Sequence, residues 1–254
     1  MTSSQAERQA AEYAFPYHHL SHVTADGRPR LGRNMRGGME YLAYIAAVVD
    51  AVRVLSPQSV LDVGCGDGRL LAELAPHIGT LRGVDLDARA VAYAGAFVPE
   101  AVVTAEPVEA VIDRFDVVTC VETLEHLSDE LAPAFLAATA ACVRGGGHLV
   151  VTVPSTSRPV AAKHFRHYDT TSLADALAAL PGRWDVLRLE ELVPHRRRRE
   201  PALRLVSNRL WTLDLPWWNA RILRDLQRPV RKGERGQHVL AVLRRVTAPA
   251  GVGP

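Results

Sequence analysis

Residues 60–71 read Val60-Leu61-Asp62-Val63-Gly64-Cys65-Gly66-Asp67-Gly68-Arg69-Leu70-Leu71. The short apolar run that opens this stretch, residues 59–63, is typical of a buried parallel strand. The apolar residues then change to helical spacing, which predicts a helix over residues 69–76. A strand, a glycine turn and a helix in this order begin a nucleotide-binding βαβ unit. Glycine lets the backbone of such a unit turn sharply and lets a ligand lie against it.

The glycine spacing indicates which kind of ligand the turn accepts. In the dinucleotide pattern G-x-G-x-x-G the third glycine comes one place later than Gly68, where this chain has Arg69. A pyrophosphate at the start of the helix would also be repelled by Asp67. The acid expected about 20 residues further on, to hold ribose hydroxyls, is present as Asp85. The pattern therefore favours a cationic nucleoside without phosphate groups.

Strands and helices alternate along the rest of the core. We predict strands at 81–85, 101–104, 115–121 and 146–153, and helices at 37–54, 88–97 and 129–142, the last capped by Ser128. Two further strands are predicted at 184–193 and 237–246. Strand–helix alternation of this kind predicts a parallel sheet covered by helices on both faces.

Two later sequence blocks support the same interpretation as the glycine turn. Residues 115–127 read FDVVTCVETLEHL and residues 145–154 read GGGHLVVTVP. Together with residues 60–71 and Asp85, they resemble the motifs of the class I S-adenosylmethionine (SAM) methyltransferases, among them the small-molecule O-methyltransferases of the ubiquinone pathway. The resemblance covers about residues 55–155.

The resemblance implies an α/β fold of Rossmann-like, doubly wound type. Its seven-stranded sheet would be mainly parallel with an antiparallel last strand and an N-terminal helical cap. In the family the last two strands form a hairpin, whereas here about forty residues separate them, and the helical spacing of their apolar members predicts a helical insert. The expected domains are a cap and first helix (1–54), a SAM-binding core (55–193), an Arg- and Trp-rich insert (194–236), and the last strand with its tail (237–254).

The family's cofactor site, carried over position by position, implies contacts along the whole SAM molecule. Asp85 would take the ribose hydroxyls, Leu86 would pack on adenine, and Ala105 and Glu106 would meet the adenine edge. The remaining implied contacts, on the methionine side and at the end of the fourth strand, are Asp62, Gly64, Cys65, Gly66, Val121 and Glu122.

Methyl transfer to an oxygen needs an acceptor placed close to the methyl carbon and a base for the acceptor's proton. Histidine suits the role of base because its ordinary pKa of about 6.5 is close to neutral pH. His167, in a polar loop after the fifth strand, is the first candidate. His126, after the fourth strand, is the second, and His164 is the third. We therefore predict a SAM-dependent enzyme that methylates a small molecule, such as a sugar or secondary metabolite, on oxygen.

Two alternatives stay open. Glu122, Glu125 and His126 have the E-x-x-E-H spacing by which small-RNA 3′-terminal 2′-O-methyltransferases hold a divalent metal. That family continues differently after the aspartate of its later block, whereas here Asp169 precedes Thr170-Thr171-Ser172, so no metal is expected. The second alternative, of another class, is a regulatory or scaffold protein that binds SAM without turnover.

Composition fits a globular chain of 254 residues, 48% hydrophobic and 23% charged. It contains no apolar run of membrane-spanning length and no apolar leader. Its three cysteines lack metal-ligand spacing, so a cytoplasmic setting is the expectation. The net charge of +2 is uneven, since residues 182–245 hold sixteen Lys and Arg against seven Asp and Glu. A nucleic-acid partner is not expected, although this basic segment leaves one open.

The segments outside the core are the places where acceptor recognition is expected. The aromatic and histidine cluster Tyr13–Leu20 would cover SAM or recognise the acceptor, or else pack on the sheet flank. The insert begins with Arg196–Arg199 and continues with apolar residues at helical spacing, including Trp217 and Trp218. One or two amphipathic helices there would form a lid, a homodimer surface or a membrane-facing patch. Alternatively, the tryptophans would pack on the core and the arginines would form a solvated charged turn.

Overall fold

The computed structural model describes residues 22–23, 29–30, 35–195 and 215–247. The cluster Tyr13–Leu20, the run Arg196–Arg199 and the predicted helix around Leu203–Leu213 lie outside the described residues. The division of the chain into the four predicted segments therefore stays a prediction.

The predicted core strands and helices are present in the predicted order, whereas the short strands His22–Val23 and Pro29–Arg30 and the helix Thr170–Ala178 were not predicted. The helices are α1 (Met35–Val54), α2 (Arg69–Leu74), α3 (Ala88–Phe97), α4 (Ala132–Ala141), α5 (Thr170–Ala178) and α6 (Pro216–Leu226). The strands are β1 (His22–Val23), β2 (Pro29–Arg30), β3 (Ser59–Val63), β4 (Thr80–Asp85), β5 (Val102–Ala105), β6 (Phe115–Val121), β7 (Val143–Pro154), β8 (Trp184–Pro194) and β9 (Gly236–Arg245). Short 3₁₀ turns lie at Val108–Ala110 and Leu124–His126.

Seven of the described strands form one sheet in the order β5-β4-β3-β6-β7-β9-β8, and β1 and β2 pair separately. Strands β3 to β7 are parallel, whereas β9 is antiparallel to both β7 and β8. The predicted fold class is confirmed, including the antiparallel last strand. Because β3 to β7 run the same way, the residues that follow them meet at one edge of the sheet.

Both faces of the sheet are buried, which explains the continuous apolar runs in the central strands. Neighbouring residues point to opposite faces. On one face Leu61 and Val118 pack in the same cluster as Leu136 of α4. On the other face Val60 and Val117 pack with buried residues of α1 and α2.

The start of α4 lies later than predicted. Helix α4 begins at Ala132, after Leu131 as N-cap, and Ser128 is not its cap. The reason is Pro133, which has no N–H to donate and is tolerated only in the first turn of a helix. The carbonyl of Ser128 instead accepts from the backbone N–H groups of Leu131 and Ala132, so Ser128 opens a turn before the helix.

The long connection between β8 and β9 carries the described part of the predicted insert. Helix α6 lies at 216–226, where helical spacing was predicted, and packs against α1. None of the helices in the described part of the chain is long and apolar enough to span a membrane.

Candidate active site

The turn after β3 is shaped by Gly64. Its φ of +75° lies in the left-handed region, which residues with a side chain rarely adopt. A Cβ at this position would lie 2.4 Å from Oγ1 of Thr123, in the turn after β6. The backbone N–H groups of Gly64 and Cys65 both donate to the carbonyl of Val84, at 2.8 and 3.1 Å. The turn is therefore held between the ends of β4 and β6.

Gly68 allows two helices to pack closely, whereas a cofactor-binding glycine leaves room for the ligand. Gly68 also has a left-handed backbone, with φ +79°, and a Cβ there would lie 2.9 Å from Cβ of Ala94 in α3. The missing side chain allows the start of α2 to approach α3. The third glycine of the motif thus serves packing.

A cavity of about 470 Å³ opens at the carboxyl edge of the sheet. It brings together six of the residues predicted for the site: Gly64, Asp85, Leu86, Glu106, Glu122 and His126. The other predicted residues lie outside its lining: Asp62, Cys65, Gly66, Ala105, Val121, His164 and His167. The apolar wall of the cavity was not predicted; it includes Val108, Leu127, Leu131, Ala134 and Phe135.

Asp85 is fixed at the end of β4 by the turns on either side. Its Oδ2 accepts from the backbone N–H of Gly66 at 3.0 Å, and its Oδ1 accepts from that of Asp87 at 2.9 Å. Burial raises the pKa of Asp85, and the bonds from Asp87 and Gly66 act against that rise. A carboxylate oxygen has capacity for more than one donor. Asp85 can therefore accept further hydrogen bonds from a diol in the cavity.

The two predicted adenine contacts have different surroundings. Leu86 is 72% exposed although it lines the cavity, so a flat apolar ligand would cover it. Glu106 accepts from Oγ1 of Thr104 at 2.6 Å and from Arg82 at 2.7 Å. The hydrogen bond from Thr104 and then that from Arg82 lower the pKa of Glu106.

Asp62 and Cys65 are buried close to the glycine turn, Asp62 in the last part of β3 and Cys65 within the turn itself. Asp62 accepts from Oγ1 of Thr119 at 2.6 Å, which joins β3 to β6. Burial raises the pKa of Asp62 to about 7, although the Thr119 hydrogen bond lowers it. Burial also raises the pKa of the Cys65 thiol. Gly66 enters the site through its hydrogen bond to Asp85.

The three predicted histidines are in contact with one another, but only His126 lines the cavity. The rings of His126 and His164 are 4.8 Å apart, and Nδ1 of His164 lies 2.8 Å from Nε2 of His167. Nδ1 of His167 lies 3.2 Å from the carbonyl oxygen of Arg158. A carbonyl only accepts, so Nδ1 of His167 donates to it, and in the neutral ring Nε2 accepts from His164.

Their pKa values follow from the same packing. Burial, followed by the charge of neighbouring His126, lowers the pKa of His164 to about 3. Burial also lowers the pKa of His167. Both rings are therefore neutral near pH 7, but both nitrogens of His167 already have partners within the loop.

Glu125 lies beside His126 and His164. Each of the three offers one atom that could bind a metal ion, and these atoms lie within 4.8 Å of one another. Glu125 is 1% exposed, and its Oε2 lacks a hydrogen-bond partner in the described part of the chain. Burial, and then the charge of Glu122, raise the pKa of Glu125 well above its ordinary range. Glu122, part of the predicted metal set, instead lies 3.1 Å from His238.

Asp169, the aspartate of the later block compared with the metal-binding family, caps α5. Its Oδ1 accepts from the backbone N–H of Ser172 at 2.8 Å, and Oγ of Ser172 accepts in return from the backbone N–H of Asp169 at 2.9 Å. The Thr-Thr-Ser sequence that departs from the metal family thus forms a capping box.

The sheet order and the cavity at its carboxyl edge define a Rossmann-like protein of the class I methyltransferase type. A family model described as a methyltransferase domain matches residues 9–201. The chain therefore belongs to the methyltransferase domain family, as predicted.

Two similar proteins carry the name ubiquinone biosynthesis O-methyltransferase. The one from Thiobacillus denitrificans is 41% identical over 108 residues, which are 39% of this chain and 45% of that protein. The one from Cupriavidus pinatubonensis is 33% identical over 112 residues, 41% of this chain and 44% of that protein. The chain thus spans less than half the length of these relatives.

Solved structures share the fold at low identity. The N-methyltransferase NodS from Bradyrhizobium japonicum, solved with S-adenosyl-L-homocysteine (SAH), has a TM-score of 0.53 and 15% identity, covering 79% of this chain and 86% of NodS. The methyltransferase domain of bacterial CtHen1-C has a TM-score of 0.57 and 14% identity, covering 82% of this chain and all of that domain.

Proposed function

We propose that this protein transfers the methyl group of SAM to an oxygen atom of a small molecule. The observation that carries the proposal is one cavity that is lined at the same time by Gly64, Asp85 and Glu122. These residues lie at the carboxyl ends of three parallel strands, at the edge where such sheets bind nucleosides. Family membership and the names of the relatives support the choice of SAM and of oxygen.

The contacts of the cavity favour one orientation of the cofactor. Asp85 would accept from both ribose hydroxyls, and the exposed side chain of Leu86, together with the apolar wall from α4, would enclose the adenine. The turn at Gly64 would then receive the methionine part. When bound, SAM supplies a methyl group activated by its sulfonium.

His126 is the residue we propose as the base, ahead of His167. Its Nδ1 lies 3.2 Å from the carbonyl oxygen of Lys163, and a carbonyl can only accept, so Nδ1 carries the hydrogen. The lone pair of a neutral ring is then on Nε2. His126 would take the acceptor's hydroxyl proton on Nε2, while Lys163 fixes the tautomer.

The test is transfer of label from S-adenosyl-[methyl-³H]methionine to a panel of catechols, phenols and sugars, with amines as the comparison set. We expect labelled methyl ethers from at least one hydroxyl acceptor and no transfer to amines. Transfer to amines alone would contradict O-methylation. Binding of SAM with no transfer to any acceptor would favour the scaffold alternative.

A second candidate rests on the cluster Glu125, His126 and His164. One carboxylate and two imidazoles are ligands that Mn²⁺ or Zn²⁺ accept. Oε2 of Glu125, which has no hydrogen-bond partner within the described ranges, fits such a role. Under this candidate the reaction would be metal-assisted methylation at an RNA 3′ end, with the basic residues of 182–245 on phosphates.

Titration calorimetry with Mn²⁺ alone separates the two candidates. The metal candidate requires stoichiometric binding that Glu125→Gln abolishes and that the surface variant Glu73→Gln retains. The small-molecule proposal predicts SAH binding and O-methylation that are unchanged after EDTA treatment.

A further inference from the structure

A buried histidine on the last strand of the chain lies between two carboxylates at the edge of the cavity. His238, near the start of β9, is 1% exposed. Its Nε2 lies 3.2 Å from Oε1 of Glu40 in α1, and its Nδ1 lies 3.1 Å from Oε2 of Glu122 after β6. These residues are far apart in the sequence, so the fold alone brings them together.

In the described part of the chain, the charged and titratable groups shown to face His238 come from neighbouring elements. Arg158, in the loop after β7, pairs with the same oxygen of Glu40 and lies 3.3 Å from Nε2. The ring of Tyr44 in α1 packs on the imidazole, with centroids 4.4 Å apart. Nδ1 of His238 lies at ion-pair distance from Oε2 of Glu122 but has no hydrogen-bond partner in the described part of the chain, so charge attraction between the imidazole and the carboxylate joins this pair.

The backbone of Glu122 has a conformation that residues with a side chain rarely adopt. Its φ is +51°, in the left-handed region, and its N–H donates to the carbonyl of Thr152 at 3.0 Å. Such strain persists only where the surrounding contacts maintain it. His238 faces Oε2 of Glu122, while Oε1 has no hydrogen-bond partner in the described residues. The same side chain lines the cavity.

We propose that His238 is a positioning residue for the cofactor: it holds the Glu122 carboxylate so that Oε1 accepts from the α-ammonium group of the methionine part of SAM. The inference rests on the proposed function, since it needs SAM in this cavity. Thr123, next to Glu122, contacts Gly64, and the turn at Gly64 is the one that would receive the methionine part. A cation placed there would satisfy Oε1 of Glu122, which lacks a hydrogen-bond partner among the described residues.

The test compares two ligands on the full chain by titration calorimetry. SAH carries the α-ammonium group, whereas 5′-methylthioadenosine has the same nucleoside without the amino-acid part. We expect His238→Gln to weaken SAH binding by roughly tenfold or more, while binding of 5′-methylthioadenosine stays within about twofold. The matched control is His148→Gln, in the middle of β7, which should change neither affinity.

A second variant covers the case in which His238→Gln does not fold. Glu40→Gln keeps Glu122 and His238 but removes the opposite carboxylate, and it should also weaken SAH more than 5′-methylthioadenosine. If the folded variants bind SAH like the wild type, or lose both ligands equally, His238 is not a positioning residue. If the wild type binds neither ligand, the proposed function fails and the inference fails with it.

Discussion

Nδ1 of His126 lies 3.2 Å from the carbonyl oxygen of Lys163. Lys163 belongs to the loop after β7, so this contact joins the turn after β6 to the segment that covers the same edge of the sheet. The loop is fixed a second time where Phe165 N–H donates to the carbonyl of Glu125 at 2.8 Å. A base on this turn therefore has a fixed tautomer and a fixed position.

Replacing that base should affect turnover and leave cofactor binding intact. We expect His126→Asn to lower kcat by about 10²–10⁴-fold, with the Kd for SAH within about twofold of wild type. His77→Asn, at an exposed site after α2, is the matched control and should keep full activity. Full activity in His126→Asn together with a loss in His167→Asn would return the role of base to His167.

The glycine turn should tolerate no side chain at its first position. Gly64→Ala would place a Cβ against Thr123 in a left-handed backbone, at a strain of about 1–3 kcal/mol. We expect SAH binding to weaken by roughly tenfold or more and the Tm to fall. In Gly95→Ala, where the exposed helix position has open space, the Tm should stay or rise. Unchanged SAH binding in Gly64→Ala would show that this turn is not part of the cofactor site.

His238 should make stability depend on pH in the alkaline range. Burial alone would lower its pKa, but Glu122 and Glu40 outweigh burial and raise it from 6.5 to about 9. A pKa that is higher in the folded than in the unfolded protein stabilises the fold below pH 6.5, and this stabilisation is lost as the pH rises through 9. Its size is on the order of 3 kcal/mol.

Thermal unfolding of the wild type and His238→Gln at pH 6 and pH 9.5 measures this effect. The wild type should have the higher Tm at pH 6, and the difference should shrink by pH 9.5. A difference in Tm that is the same at both pH values would mean that His238 contributes through packing and not through its charge.

The sequence predicted the parts of the site that local patterns encode. The glycine spacing after β3 and the acid at the end of β4 depend on neighbours within one βαβ unit, and both Gly64 and Asp85 line the cavity. Ser128 failed as an N-cap because Pro133, five residues later, excludes an earlier helix start. That exclusion was readable from the sequence, since proline is restricted to the first helical turn.

Other parts of the site depend on contacts that no local pattern encodes. His238 lies in an ordinary apolar strand, and its pairing with Glu40 and Glu122 exists only because β9 inserts beside β7. The apolar wall contributed by α4, with Leu131 and Phe135, reads in the sequence as a helix face that packs on the core. This face lines the cavity because α4 begins beside the carboxyl edge of the sheet.

The central claim, that SAM binds at the carboxyl edge of β3, β4 and β6, is tested most directly by titrating SAH into the wild type and Asp85→Ala. The carboxylate of Asp85 is fixed by Gly66 and Asp87 for two hydroxyl donors, so its loss should weaken SAH binding roughly 100-fold. Asp185→Ala, which removes an exposed ion pair with Arg244, should bind like the wild type. Equal affinity in Asp85→Ala and the wild type would contradict the assignment of this cavity to the cofactor.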